Sequence, residues 1–170
     1  MRKTMLFVVA VIGFGILLST NAMAQNRVGG GLHYWWNNDE LKGPAKNDGV
    51  GAYVSFQRDF GAWWRGEADA EVFEDGFAGS PDPVLAPQVF LLFGAPVYVG
   101  VGGGILFSDS NFADAPFLAF RVGLDFELFE GIHVDINANY QFSQWGGINK
   151  SASDKDSDVA VAGVAVRWDL

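Results

Sequence analysis

A chain of 170 residues is long enough for one domain with a real core, and no shift of composition beyond the N-terminus divides it. A formal charge of −9 with no basic stripe excludes nucleic-acid binding, which rests on Lys and Arg neutralising phosphates. Cysteine is absent, so no disulfide framework or thiol chemistry is available.

The N-terminus stands apart. Arg2 and Lys3 precede an apolar run from Met5 to Leu18, and Asn21-Ala22-Met23-Ala24-Gln25 follows. Residues 1–24 read as a secretory signal peptide with an Ala-x-Ala cleavage site, leaving 25–170 as the mature domain. The run is short for a membrane span, which argues against an uncleaved anchor. No Cys follows it to carry a lipid. The protein is therefore expected to leave the cytoplasm.

The mature chain reads as eight strands. In the first, Arg27 to Trp36, Val28, Gly30, Leu32, Tyr34 and Trp36 share one parity and Arg27, Gly29, Gly31, His33 and Trp35 the other. Asn37–Asp48 is a polar loop. Strand two, Gly49 to Arg58, sets Val50, Ala52, Val54 and Phe56 opposite Gly51, Tyr53, Ser55 and Gln57, and Asp59-Phe60-Gly61-Ala62 is a tight turn. Strand three, Trp63 to Phe73, carries Arg65, Glu67, Asp69 and Glu71 on one parity against Trp64, Gly66, Ala68, Ala70 and Val72. After the loop Glu74–Pro83, strand four runs from Val84 to Phe93. Pro87 lies inside it and removes a ladder donor, so a bulge or local irregularity is expected there.

Gly94-Ala95-Pro96 leads into strand five, Val97 to Phe107, and Ser108–Ala115 is a loop. The clearest periodicity follows. Leu118, Phe120, Val122, Leu124, Phe126 and Leu128 alternate with mostly polar residues, as do Ile132, Val134, Ile136, Ala138, Tyr140 and Phe142. The short Phe129-Glu130-Gly131 connection makes this pair an antiparallel hairpin. Ser143–Asp158 is the longest loop, and strand eight runs from Val159 to Leu170. Long polar loops alternate with tight turns at all seven connections. A meander then has its long loops at one end and its turns and both termini at the other.

Alternation alone does not say which face is out. A lipocalin-like barrel turns its apolar parity inward and a membrane barrel turns it outward. The polar parity here holds acids and arginines together with Gly100, Gly102 and Gly104, which make room in a narrow interior. Aromatic residues fall near strand ends: Tyr34, Trp36, Phe73, Phe107, Tyr140 and Phe142 toward the loops, and Phe60, Trp64, Phe93, Phe126, Phe129 and Trp168 toward the turns. Two such girdles suit the two interfaces of a bilayer. Strands of about 10 to 12 residues suit a tilted crossing. The expected fold is all-β, an eight-stranded antiparallel up-and-down transmembrane barrel.

On these residues the chain resembles the small outer-membrane barrels of the OmpA/OmpX type over essentially the whole mature sequence, with no periplasmic domain expected after the barrel. The ending Gly163-Val164-Ala165-Val166-Arg167-Trp168-Asp169-Leu170 is similar to the C-terminal signal read by the barrel assembly machinery, carried by Gly163, Val166, Trp168 and Leu170. Its last residue is Leu rather than Phe or Trp. The resemblance implies the outer membrane of a diderm bacterium, contact with its lipid and lipopolysaccharide, and a monomer.

The inward parity offers Arg27, Arg65, Arg121 and Arg167 against Glu67, Asp69, Glu71, Asp125, Glu127 and Asp135. An eight-stranded lumen is just wide enough for side chains to fill it, so these charges are expected to pair across it as a plug. The sharper alternative is a gated narrow pore. Glu67, Asp69 and Glu71 also read as a metal or acid/base cluster, but strand alternation already explains their spacing and arginines are at hand. Asp154-x-Asp156-x-Asp158 has the spacing of the first calcium-loop ligands but lacks the Gly and the distal Glu, so a solvated acidic loop is the default. A lipid-modifying enzyme needs Ser, His and an acid near the outer leaflet. His33 faces inward, His133 sits at the turn end, and Ser55 and Ser143 have no evident His partner. The reading is an integral outer-membrane protein of structural or surface-interaction role, with its loops as binding elements and no cofactor. The alternatives are a small-solute channel, a lipid-modifying enzyme and a periplasmic lipocalin-like carrier.

Overall fold

The computed structural model describes residues 25–38, 46–109, 111–113, 116–142 and 158–170. The expected signal peptide, 1–24, and the Asp154 and Asp156 positions lie outside the described residues. Eight long strands form the wall: β1 (Asn26–Asn37), β2 (Asp48–Asp59), β3 (Trp64–Phe73), β4 (Val84–Phe93), β5 (Val97–Gly104), β6 (Phe117–Phe129), β7 (Ile132–Phe142) and β8 (Val159–Asp169). Each pairs antiparallel with its neighbours in the chain. β1 closes on β8 from Arg27↔Asp169 to Asn37↔Val159, leaving no free edge in the barrel.

Closure comes with a stagger. Following hydrogen-bonded partners once round from Trp35 passes Val161, Asn139, Arg121, Gly100, Leu92, Arg65 and Asp59. The Asp59 N–H then reaches the Gln25 carbonyl, ten residues back along β1 from Trp35. This offset tilts the strands, so side chains in different register rows meet at one level of the lumen.

The apolar parity faces outward. Leu32 is 67% exposed, Val54 63% and Val97 69%, and similar residues continue round the wall. A contiguous apolar belt of this extent far exceeds what soluble monomers present to water. That removes the apolar-inward alternative: this is a transmembrane-type barrel, its lipid-facing side outside and its polar side within.

Three particulars differ from the sequence reading, and the irregularity expected at Pro87 takes the form of a lapse in the ladder. β5 ends at Gly104 rather than Phe107, and Phe107–Ser108 pairs instead with Asn111–Phe112 in a small ribbon. Pro87 causes no bulge. Its pairing with Ala70 of β3 is unbroken, and on the β5 side the ladder lapses after Gln88↔Gly104 and resumes as Leu85↔Phe107 in the same register. The missing N–H interrupts the ladder without shifting it. Glu127 is exposed at the turn end, beside a register shift between Glu127 and Phe129, and its carboxylate accepts the Gly131 N–H at 2.9 Å. It caps the turn and stands at the rim of the lumen's mouth, outside the buried network. Phe73 belongs to no girdle: it shares the inward parity of Glu71 and is wholly buried.

Candidate functional site

Among the described residues, chemistry-bearing side chains converge in the lumen, which is layered. At the turn end Arg27 holds three carboxylates: Nη1 lies 3.1 Å from Asp125, Nη2 3.5 Å from Asp59 and Nε 3.2 Å from Asp169. Arg65 pairs with the same Asp125, donates to the Gly94 carbonyl at 3.3 Å and stands 4.9 Å from the Tyr98 ring centre. His133 lies 3.4 Å from both Asp125 and Asp169. Arg27, Arg65, Asp125 and His133, with Glu127 at the rim, line an open depression of about 360 Å³ at the mouth.

Two arginines reach across the middle. Arg121 reaches Glu67 at 2.5 Å, Asp69 at 2.9 Å and the Asn139 carboxamide oxygen at 2.5 Å, and its guanidinium lies 3.8 Å above the Phe90 ring centre. Arg167 contacts Glu67 at 3.2 Å, Asp135 at 3.1 Å and the Ser55 hydroxyl at 3.2 Å. Around them Gln57 donates to Glu67, the Tyr98 hydroxyl donates to Asp135 at 2.8 Å, and Asn137 donates to Asp135 at 2.5 Å and to Tyr53 at 3.1 Å. Glu67, Arg167 and Asp135 are fully buried and Arg121 is 1% exposed. Charges so far from water persist only when paired and hydrogen-bonded, and here each arginine meets carboxylates from other strands.

Above this network the polar character changes. His33 Nδ1 lies 3.3 Å from Glu71, and the imidazole stacks at 5.9 Å on Tyr53. Gln88 and Gln141 are buried at the same level on β4 and β7. Above them the loop end is apolar: Trp35, Phe73, Val84, Phe117, Val159 and Val161 meet Phe77, Ala78, Leu106 and Ala113, which come from the connections and not from the wall. The expected charged filling therefore occupies the turn end and middle only.

Strand four adds no charge to the lumen: its inward residues are Val84, Ala86, Gln88, Phe90 and Leu92. Its neighbour β5 supplies Gly100, Gly102 and Gly104, where a Cβ would run into Leu92, Phe90 and Gln88 respectively. The glycines receive bulk from the adjacent strand.

On the outside, Tyr34, Trp36, Tyr140 and Phe142 are exposed toward the loops and Trp64, Phe93, Phe126 and Trp168 toward the turns, while Phe107 lies half-buried on the ribbon against Phe112 at 4.8 Å. The loop-side phenols engage polar groups, Tyr34 with Asp48, and Tyr140 with Asn38 and Asp158 at 2.9 Å each. Gly163 faces the lumen next to His33, while Val166 and Trp168 point outward and Leu170 is exposed. Ser55 is taken by Arg167, and Ser143 lies outside the described residues. Among the described residues no group of three or more His, Asp or Glu side chains is arranged to hold a metal ion.

Parity signalled the inward Tyr53, Gln57, Tyr98, Asn137, Asn139 and Gln141, which the sequence reading left out of the site. Phe77 had no such signal, because it lies in an aperiodic connection.

No protein-family model matches the chain, and no curated protein matches it. Solved structures do. Neisserial surface protein A superposes with a TM-score of 0.61 at 16% identity, over 86% of this chain and 99% of that one. The outer membrane protein AlkL, determined in lipid bilayers, superposes with a TM-score of 0.51 at 12% identity, over 89% and 92%. The shared property is the fold, that of the small eight-stranded outer-membrane barrels.

Proposed function

We propose that this protein is exported by cleavage after residue 24 and resides in the outer membrane of a diderm bacterium as a monomeric, non-conducting barrel. Its role is structural or surface-directed. The barrel assembly machinery reads its C-terminal strand, membrane lipid and lipopolysaccharide surround its wall, and the four long connections face the outside as its binding elements. The observation that supports this reading is the set of pairs across the lumen: Arg121 and Arg167 meet Glu67, Asp69 and Asp135 in its middle, and Phe77 packs at its loop end. An interior bonded from wall to wall holds the barrel shut and rigid, which suits a scaffold for loops better than a passage for solutes.

Reconstitution into planar bilayers tests it. The folded protein is expected to leave the bilayer silent, with no unitary steps. Reproducible ohmic steps, altered by Arg121→Ala, would replace this reading with a small-solute channel.

A further inference from the structure

We propose that Glu74–Pro83 is a lid over a hydrated polar chamber in the loop half of the lumen, a blind pocket that admits water and small uncharged hydrogen-bonding solutes when the lid lifts. The chamber is the belt of His33, Glu71, Gln88 and Gln141, which the stagger of the strands brings to one level between the Arg121 network and the apolar loop end. All four side chains are more than nine-tenths buried. Among the described residues, Glu71 Oε2, both carboxamide atoms of Gln88 and of Gln141, and both imidazole nitrogens of His33 lack a hydrogen-bond partner, although His33 Nδ1 is within ion-pair reach of Glu71. Buried donors and acceptors in such number are satisfied by water or by a solute that mimics it. Carboxamides and imidazole offer both donors and acceptors, which selects an uncharged polar solute over an ion.

The cover is built differently from the wall. Phe77 lies on Phe73 with ring centres 4.0 Å apart and planes 13° apart, and meets Trp35 edge-on at 4.9 Å. Its backbone is a single 3-10 turn, flanked by Gly76 at φ 92 and passing through Ala78 at φ 53, a left-handed position that alanine disfavours. The segment is tied down at its rim. Ser80 Oγ and Ser108 Oγ are 2.7 Å apart, the Lys46 N–H donates to the Gly76 carbonyl at 3.1 Å, and the Lys46 ammonium meets Glu74 at 3.3 Å. Rim ties and the packing of Phe77 and Ala78 against the apolar loop end hold it, where each strand is laddered on both sides along its length, so it opens at lower cost than the barrel. Below the chamber Arg121 and Arg167 close the lumen. Entry is from the loop side alone.

The protein has no native cysteine, so an introduced thiol reports only its own site. Gln88→Cys is labelled with methyl methanethiosulfonate, small and uncharged, on the folded, detergent-purified barrel and read by peptide mass spectrometry. Adding Phe77→Ala removes the aromatic stack and is expected to speed labelling by at least about tenfold. Ser55→Cys, within the arginine network where Arg167 reaches the native hydroxyl, is expected to stay unlabelled in either background. Equal rates at position 88 with and without Phe77 would overturn the lid, and labelling at position 55 would overturn the blind chamber. Should Phe77→Ala not fold, Ser80→Cys with Ser108→Cys carries the test on an intact stack: oxidation of that pair suppresses labelling at position 88 and reduction restores it. Labelling indifferent to the lock would refute the proposal.

Discussion

Arg121 shows what a single residue does here. It lies on the inward parity of β6, opposite Asn139 of β7 and Gly100 of β5, yet its ionic partners Glu67 and Asp69 stand across the lumen on β3. Arg121→Met is expected to lower stability by roughly 3–5 kcal/mol, because the carboxylates are then buried without their cation. Urea unfolding in lipid vesicles measures this, and a loss under about 1 kcal/mol would mean that water reaches the site. Pairing the change with Asp69→Asn is expected to recover part of the loss. Parity alone put Arg121, Glu67, Asp69, Asp125, Asp135 and Arg167 on one face. It also put Phe73 inside, against the girdle place expected for it from its position near the strand end, and it failed only at Glu127, which turns out to the rim. Near an end, side-chain direction follows bulges and turns as well as alternation.

At the scale of the strand, the outer wall carries its own test. Leu32 lies near mid-height on β1, between Ala52 and Val164, and Val50 lies near the loop end of β2. In a bilayer, Leu32→Arg is expected to cost about 2–4 kcal/mol and Val50→Arg about 0–1 kcal/mol, because the penalty depends on depth. Equal costs at the two positions in vesicle unfolding would show that the wall is not lipid-embedded. Strand bounds were legible within a residue or two wherever alternation was strict, as from Phe117 to Phe142. They were not at the end of β5, where glycines carry no face and where Pro87 on the neighbouring strand withholds a hydrogen bond. The ribbon that replaces the end of β5 brings Leu106 and Ala113 inward with Phe77.

For the molecule as a whole, closure is what resists unfolding. Every wall strand is paired on both sides, so the barrel opens only by losing a whole seam, such as β1 with β8. The unboiled protein is expected to run on a denaturing gel at a position different from the boiled one, and to fractionate with the outer membrane. A soluble periplasmic protein with no shift on boiling would refute the membrane placement. The sequence by itself determined the strand count, the order of long and short connections and which residues share a face, because all three follow from local alternation and turn chemistry. The tertiary structure alone decided which charges meet, since the ten-residue stagger round the wall selects the partners at each level. It also decided that Phe77 packs at the loop end, against Phe73 and Trp35. An aperiodic connection carries no face of its own, and only the shape of the closed mouth gives its aromatic ring a place to bury.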